Sequence, residues 1–133
     1  MKKILIIYST EGELDEVVRG IEKGASANGH QIDVLSTDEK PQTLSFHPYD
    51  LVLVGSPTKG LFKGKIAGDI DPFLRDCKRT EAQDAVAFVT PRFFATTKSL
   101  KKLMGVLEKQ GCFVKNFVSL KTKVDAFDFG KKL

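Results

Sequence analysis

Three short stretches hold the residues whose types and spacing could do chemistry. The first is Ser9-Thr10-Glu11-Gly12-Glu13, a hydroxyl- and glycine-bearing turn, after which Leu14, Val17, Val18 and Ile21 recur at spacings of three and four. That recurrence is the signature of an amphipathic helix. A turn of this kind at a helix amino end points unpaired N–H groups and the positive end of the helix dipole outward, the arrangement that receives phosphates. Thr10 to Glu13 also fits a capping box, in which the threonine side chain caps the helix and the glutamate three residues on reaches back to the N-cap amide. The helix then satisfies its own amino end, and Glu11 and Glu13 stand where a phosphate dianion would dock. Each opposes it by about 3 kcal/mol per charge pair at roughly 5 Å and an effective dielectric of about 20. Their plainer use is as solvated acids that complement the helix dipole.

The second stretch is Ser56-Pro57-Thr58-Lys59-Gly60 with Phe62, and the third is Thr90 with Arg92, Phe93 and Phe94. Ser56, Thr58, Lys59 and Gly60 offer amides and hydroxyls to the edges of a planar heterocycle, and Phe62, Phe93 or Phe94 an apolar wall, with core packing as the competing use of each phenylalanine. Lys59, Lys63, Lys65, Arg92 and Lys98 fall on the same two loops. Together they make a positive patch suited to an anionic ligand or an acidic protein partner; singly they are a solvated rim. Other chemistry lacks its residues. Cys77 and Cys112 are far apart and read as buried free thiols, His30 and His47 are equally isolated, and neither Ser9 nor Ser56 has a histidine placed to activate it. No metal site is expected.

The elements that must position these stretches follow from hydrophobic pattern. Ile4 to Tyr8, Tyr49 to Gly55 and Ala85 to Thr90 are apolar without alternation, which predicts strands buried on both faces of a parallel sheet. Gln31 to Ser36 alternates with period two and reads as an edge strand; Cys112 to Leu120 reads as the opposite edge. Helices are predicted from about Gly12 to Asn28, from Ile66 to Lys78 and from Lys98 to Gln110, the last closed by Gly111. Gly20 and Gly24 lie four residues apart inside the first helix, a spacing that predicts close packing against the sheet. Thr37 to Pro48 is polar and reads as a connecting loop in place of a crossover helix.

The chain has 133 residues, 41% of them hydrophobic and 29% charged, which bounds it to one soluble domain with a proper core, residues 1–133. Its net charge of +4 is mild, and no arginine-rich or aromatic nucleic-acid motif accompanies it, so no nucleic-acid partner is expected. Neither a membrane span nor a signal peptide is visible, and the expected location is the cytoplasm.

These residues resemble the flavodoxins. The carriers of the likeness are a strand running into Tyr8-Ser9-Thr10 and Gly12, then Asp50 to Gly60 (DLVLVGSPTKG) with a downstream Phe73-Leu74, then a strand and loop before SLKKLMGVLEKQG. The resemblance implies an α/β flavodoxin-like three-layer sandwich, a five-stranded parallel sheet of order 2-1-3-4-5. It implies an electron-transfer protein that binds FMN and a redox partner protein, and is not itself a catalyst with its own substrate. It also assigns cofactor binding to the first turn and to the 56–62 and 90–94 loops. Departures are specific. Flavodoxins hold the FMN phosphate with S/T-x-T-G-x-T, whereas this chain keeps Ser9 and Gly12 but has Glu11 and Leu14 where the later hydroxyls belong. There is no tryptophan to stack on the ring. The alternative is a flavodoxin-fold protein that has lost FMN and acts as an interaction or regulatory domain. Other users of this topology lack their residues: Gly55-Ser56-Pro57 stands where a phosphoacceptor needs an aspartate ending the third strand, and there is no first-loop cysteine for a phosphatase and no DxHxxG for cobalamin.

The segment from Val124 to Leu133 is short for the final helix of such a sandwich. Asp125 is placed to cap a turn or two carrying Phe127. A sheet face left bare would call for a second copy of the chain, with Phe127 and Phe129 as anchors of a homodimer, unless the tail packs down and suffices.

Overall fold

Residues such as Ile4 to Ile7 and Leu51 to Val54 have no polar side to turn to water, so their strands need cover on both faces. A computed structural model, which describes residues 1–39 and 43–133, supplies it. The strands are β1 (Lys3–Tyr8), β2 (Gln31–Ser36), β3 (Leu51–Pro57), β4 (Asp84–Thr90) and β5 (Phe113–Ser119). They form one parallel sheet of order β2-β1-β3-β4-β5, with Ile6 beside Val34 on one side and Leu53 on the other. The helices are α1 (Asp15–Ala27), α2 (Ile70–Arg75), α3 (Thr96–Lys109) and α4 (Lys123–Lys131). Alternation along the strands divides the core. Leu5, Ile7, Val52, Val54, Ala85 and Ala87 pack with Ile70 and Leu74 of α2 and Leu103 and Leu107 of α3. Ile4, Ile6, Leu51, Leu53, Val86 and Phe88 pack with Val17, Val18 and Ile21 of α1 and Ala126 of α4. Among the described residues of 37–50 there is no helix, as expected of the β2–β3 connection; residues 40–42 of that loop lie outside the described residues.

Four expectations are corrected. The capping box does not form: α1 begins at Asp15 with Leu14 as its N-cap, and no side chain caps it. Leu14 is buried in the α1 layer of the core, and that burial fixes the start of the helix ahead of any local hydrogen bond. The second helix is only Ile70–Arg75; ahead of it the chain is tied to other loops, Ala67 N donating to Ser56 Oγ at 2.9 Å, Gly68 N to Glu11 Oε2 at 3.1 Å, and the Asp69 carboxylate accepting from Ser9 and Thr37. Past Arg75 the chain leaves the helix to pair with residues 44–46, Lys78 N donating to Leu44 O at 2.8 Å.

The other two corrections concern the tail. It forms a full helix, capped by Thr122, whose Oγ1 accepts from Asp125 N at 3.0 Å; Asp125 is the residue served by the cap. Gly20 and Gly24 face this helix and not the sheet. A Cβ at Gly20 would lie 2.6 Å from the Lys123 carbonyl oxygen, one at Gly24 2.2 Å from that of Phe127, and one at Gly130 2.3 Å from that of Ile21. Backbone therefore meets backbone, so a nine-residue helix covers the α1 side of the sheet, and the bare face that would have called for a second copy is closed. Among the described residues no helix is long and apolar enough to cross a membrane.

Candidate functional site

The three central strands end together, and backbone hydrogen bonds stitch the loops that leave them. Ser9 N donates to Gly55 O (3.1 Å), Thr37 N to Tyr8 O (3.0 Å) and Thr58 N to Thr90 O (3.2 Å). All three chemistry-bearing stretches thus share the carboxyl edge of the sheet, where open α/β folds bind ligands.

At the β1 end the hydroxyls already hold an anion, and it belongs to the chain. Ser9 Oγ donates to both carboxylate oxygens of Asp69, at 2.7 and 2.9 Å, Thr37 Oγ1 donates at 2.6 Å, and Thr10 Oγ1 lies at 3.4 Å. Ser9 and Thr37 are buried. Ser9 Oγ also accepts from Glu11 N at 2.9 Å and Thr37 Oγ1 from Thr10 N at 3.2 Å, so the turn is folded around these two side chains. Glu11 is engaged as well, by Lys59 Nζ at 2.6 Å and Gly68 N at 3.1 Å. Gly12 turns the loop with φ of 77°, a conformation that favours glycine, and a Cβ there would meet Pro57 Cβ at 2.8 Å. Glu13 is exposed. More carboxylates surround Tyr8, whose hydroxyl is pushed up in pKa by burial first and then by Asp15, Glu39 and Asp38.

Asp69 and Thr37 are the residues that sequence reasoning missed. Asp69 sits in what read as the interior of a helix beginning at Ile66. The signal that could have found it is Asp69 two residues before Asp71-Pro72: proline belongs in a first helical turn, and aspartate just ahead of one. Thr37 follows β2 directly, in a stretch whose polar composition reads only as loop.

At the β3–β4 end the arrangement is the reverse. The hydroxyls of Ser56 and Thr58 are turned inward: both residues are buried, Ser56 Oγ donating to Pro57 O at 2.9 Å and Thr58 Oγ1 lying 2.7 Å from Ser99 Oγ. They build the loop and do not line its surface. Lys59 and Lys65 pair backbone to backbone, closing a small hairpin that turns at Gly60. At its tip, Phe62 is 64% exposed and stacks on Phe94, 79% exposed, with ring centroids 5.9 Å apart and planes within 5° of parallel. Phe93 is exposed and takes φ of 45°, a left-handed conformation that an aromatic residue rarely adopts. Thr90 ends β4 half-buried, and Arg92 is exposed with its amide donating to Thr96 Oγ1 at 3.1 Å. Lys63, Lys65 and Lys98 are also exposed here, and neither loop contains an acid. Cys77 and Cys112 lie apart from the site, buried, with thiols pushed up to about 12 and about 11 chiefly by burial, so both are held protonated.

A planar apolar surface is present, then, but the anion cradle beside it is filled. A phosphate about 4 Å from the Asp69 carboxylate would be opposed by roughly 4 kcal/mol per charge pair at an effective dielectric of about 20. The residues at the β1 end therefore do not fit the phosphate of FMN, while those at the β3–β4 end are suited to a flat ring.

Solved structures share this fold. Oxidised flavodoxin 1 from Bacillus cereus is 18% identical over 96% of this chain and 94% of its own, with a TM-score of 0.71. Two-electron reduced Megasphaera elsdenii flavodoxin is 14% identical over 98% and 99%, with a TM-score of 0.66. A Fusobacterium nucleatum flavodoxin variant bound to flavin mononucleotide is 16% identical over 86% and 68%, with a TM-score of 0.58. No protein-family model matches the sequence, and neither does any curated protein sequence. At these identities the likeness is one of fold: the chain has the flavodoxin-like fold across nearly its whole length.

Proposed function

We propose that this protein is a single-domain, cytoplasmic, flavodoxin-like electron carrier that takes a flavin by its ring and holds it loosely. The observation that carries this reading is the parallel pair Phe62 and Phe94, displayed to solvent beside the central strands of a sheet whose fold neighbours include a flavodoxin with FMN bound. Exposed rings clustered in this way are characteristic of binding surfaces. When a flavin is bound, the redox chemistry is its own. The chain contributes the plane against which the ring lies and, through Arg92 and Lys63, positive potential that favours a reduced, negatively charged ring. The same cations suit an acidic redox partner protein.

Loose holding follows from the filled cradle. Titration of the purified protein with FMN, read by quenching of flavin fluorescence, is expected to give a dissociation constant near micromolar, about 8 kcal/mol of binding. Nanomolar affinity would show that the Asp69 contacts yield to phosphate and would sink the loose-holding part of the proposal. A second reading has its own support: with Ser9, Thr10 and Thr37 on Asp69, and Glu11 on Lys59, a chain that has lost FMN altogether would be stable as it stands. It would then act as an interaction or regulatory domain through the same aromatic surface. Absence of any quenching with millimolar flavin would favour that reading.

A further inference from the structure

Resting on the ring-binding reading above, we infer that Asp69 sets the class of ligand: a planar heteroaromatic ring whose side chain ends in hydroxyls, with phosphate-ended ligands rejected. Phosphate has only acceptor oxygens to offer. At the β1 end it would meet the carboxylates of Asp69 and Glu11, which are acceptors too, while the hydroxyl donors of Ser9 and Thr37 are already committed to Asp69. The nearest ammonium, on Lys59, is committed to Glu11. Hydroxyl groups reverse the match, because a hydroxyl can donate to a carboxylate, and Asp69 Oδ1 and both Glu11 oxygens each accept only one contact and keep a lone pair for it. At the ring end, Phe62 and Phe94 need no change of chemistry to serve any flat heterocycle. Planes whose centroids stand 5.9 Å apart offer an outer face directly. They admit a ring between them once they separate to about 7 Å, twice the carbon contact distance of about 3.5 Å. Selection therefore resides in the carboxylate and not in the aromatic pair.

Riboflavin and FMN share a ring and differ by the terminal phosphate, so they serve as paired probes. Each is titrated into the full chain at one pH and ionic strength, with fluorescence quenching as the readout. Riboflavin is expected to bind at least tenfold more tightly than FMN. Asp69→Asn keeps the side-chain shape and removes the charge, and it should move the FMN-to-riboflavin affinity ratio at least tenfold toward FMN. Glu11→Gln, farther from the buried hydroxyls, should move the ratio the same way by less and covers the case in which Asp69→Asn fails to fold. FMN binding as tightly as riboflavin to the unaltered chain overturns the inference while leaving ring binding in place. A preference for riboflavin that neither substitution moves overturns the assignment to Asp69. If neither probe is quenched, the ring-binding reading and this inference fall together.

Discussion

At the β1 end of the sheet's carboxyl edge, Ser9 and Thr37 are buried with their hydroxyls on an internal carboxylate; at the β3–β4 end, Phe62, Phe93 and Phe94 are exposed, with Phe62 stacked on Phe94. Both ends belong to one edge of one sheet. What differs is where each loop finds its partners. The first turn is tied to the α2 amino end and to the loop after β2, so its polar groups are satisfied before any ligand arrives. The aromatic loops spend their hydrogen bonds on holding their own shape and leave their side chains free. One edge of one sheet can therefore display an open aromatic surface at one end while the chain's own side chains close the other.

This contrast can be broken or sharpened by substitution. The largest effect belongs to Leu14, which is buried in the core directly after the first turn. Leu14→Ala should cost about 3 kcal/mol in urea unfolding, whereas Phe94→Ala, at a residue 79% exposed, should stay within about 0.5 kcal/mol. Equal losses would mean that the two ends are not built differently at all. Next comes Asp69→Ala, which leaves the buried Ser9 and Thr37 hydroxyls without an acceptor and should cost about 2 kcal/mol by the same measurement. A loss no larger than that of Phe94→Ala would show that the cradle is not structural.

The aromatic end should answer in affinity where it is silent in stability. Phe94→Ala should weaken riboflavin binding about fivefold, near 1 kcal/mol, the scale of one stacked aromatic contact. Unchanged quenching would place the ring elsewhere. The smallest effect is expected at Phe93, whose φ of 45° is unfavourable for any side chain. Phe93→Gly should stabilise the protein by about 0.5 kcal/mol in thermal unfolding, and a destabilised variant would mean that the ring is anchored despite its exposure.

Much of this was legible in the sequence, and the part that was not has a common cause. β2 has the bounds that its alternating pattern predicts, Gln31–Ser36, and β1, β3 and β4 follow from apolar runs that call for a parallel sheet. The closure of the first turn was invisible because its agent is distant: Thr10 and Glu13 make a good local pattern for a cap, but Asp69 lies far along the chain and the burial of Leu14 decides where the helix starts. Spacing likewise announced that Gly20 and Gly24 sit under something close, without saying what. From sequence Ser56 and Thr58 read as outward-facing because hydroxyls in a loop usually are; in the structure Ala67 N and Ser99 Oγ give them inward partners.

The glycine-lined crossing of α1 and α4 also orders events in time. Residues 15–27 and 123–131 are separated by roughly 100 residues, and bringing such distant segments together carries a loop-closure cost of about 4 kcal/mol. During synthesis the first helix emerges long before the one that fits it, and until then Gly20 and Gly24 form a shallow trough with nothing to fill it. The parallel pair β1 and β2 and the α1 that links them can collapse early, but this layer of the sandwich shuts only when α4 has left the ribosome and docked, so its closure is expected among the late steps of folding.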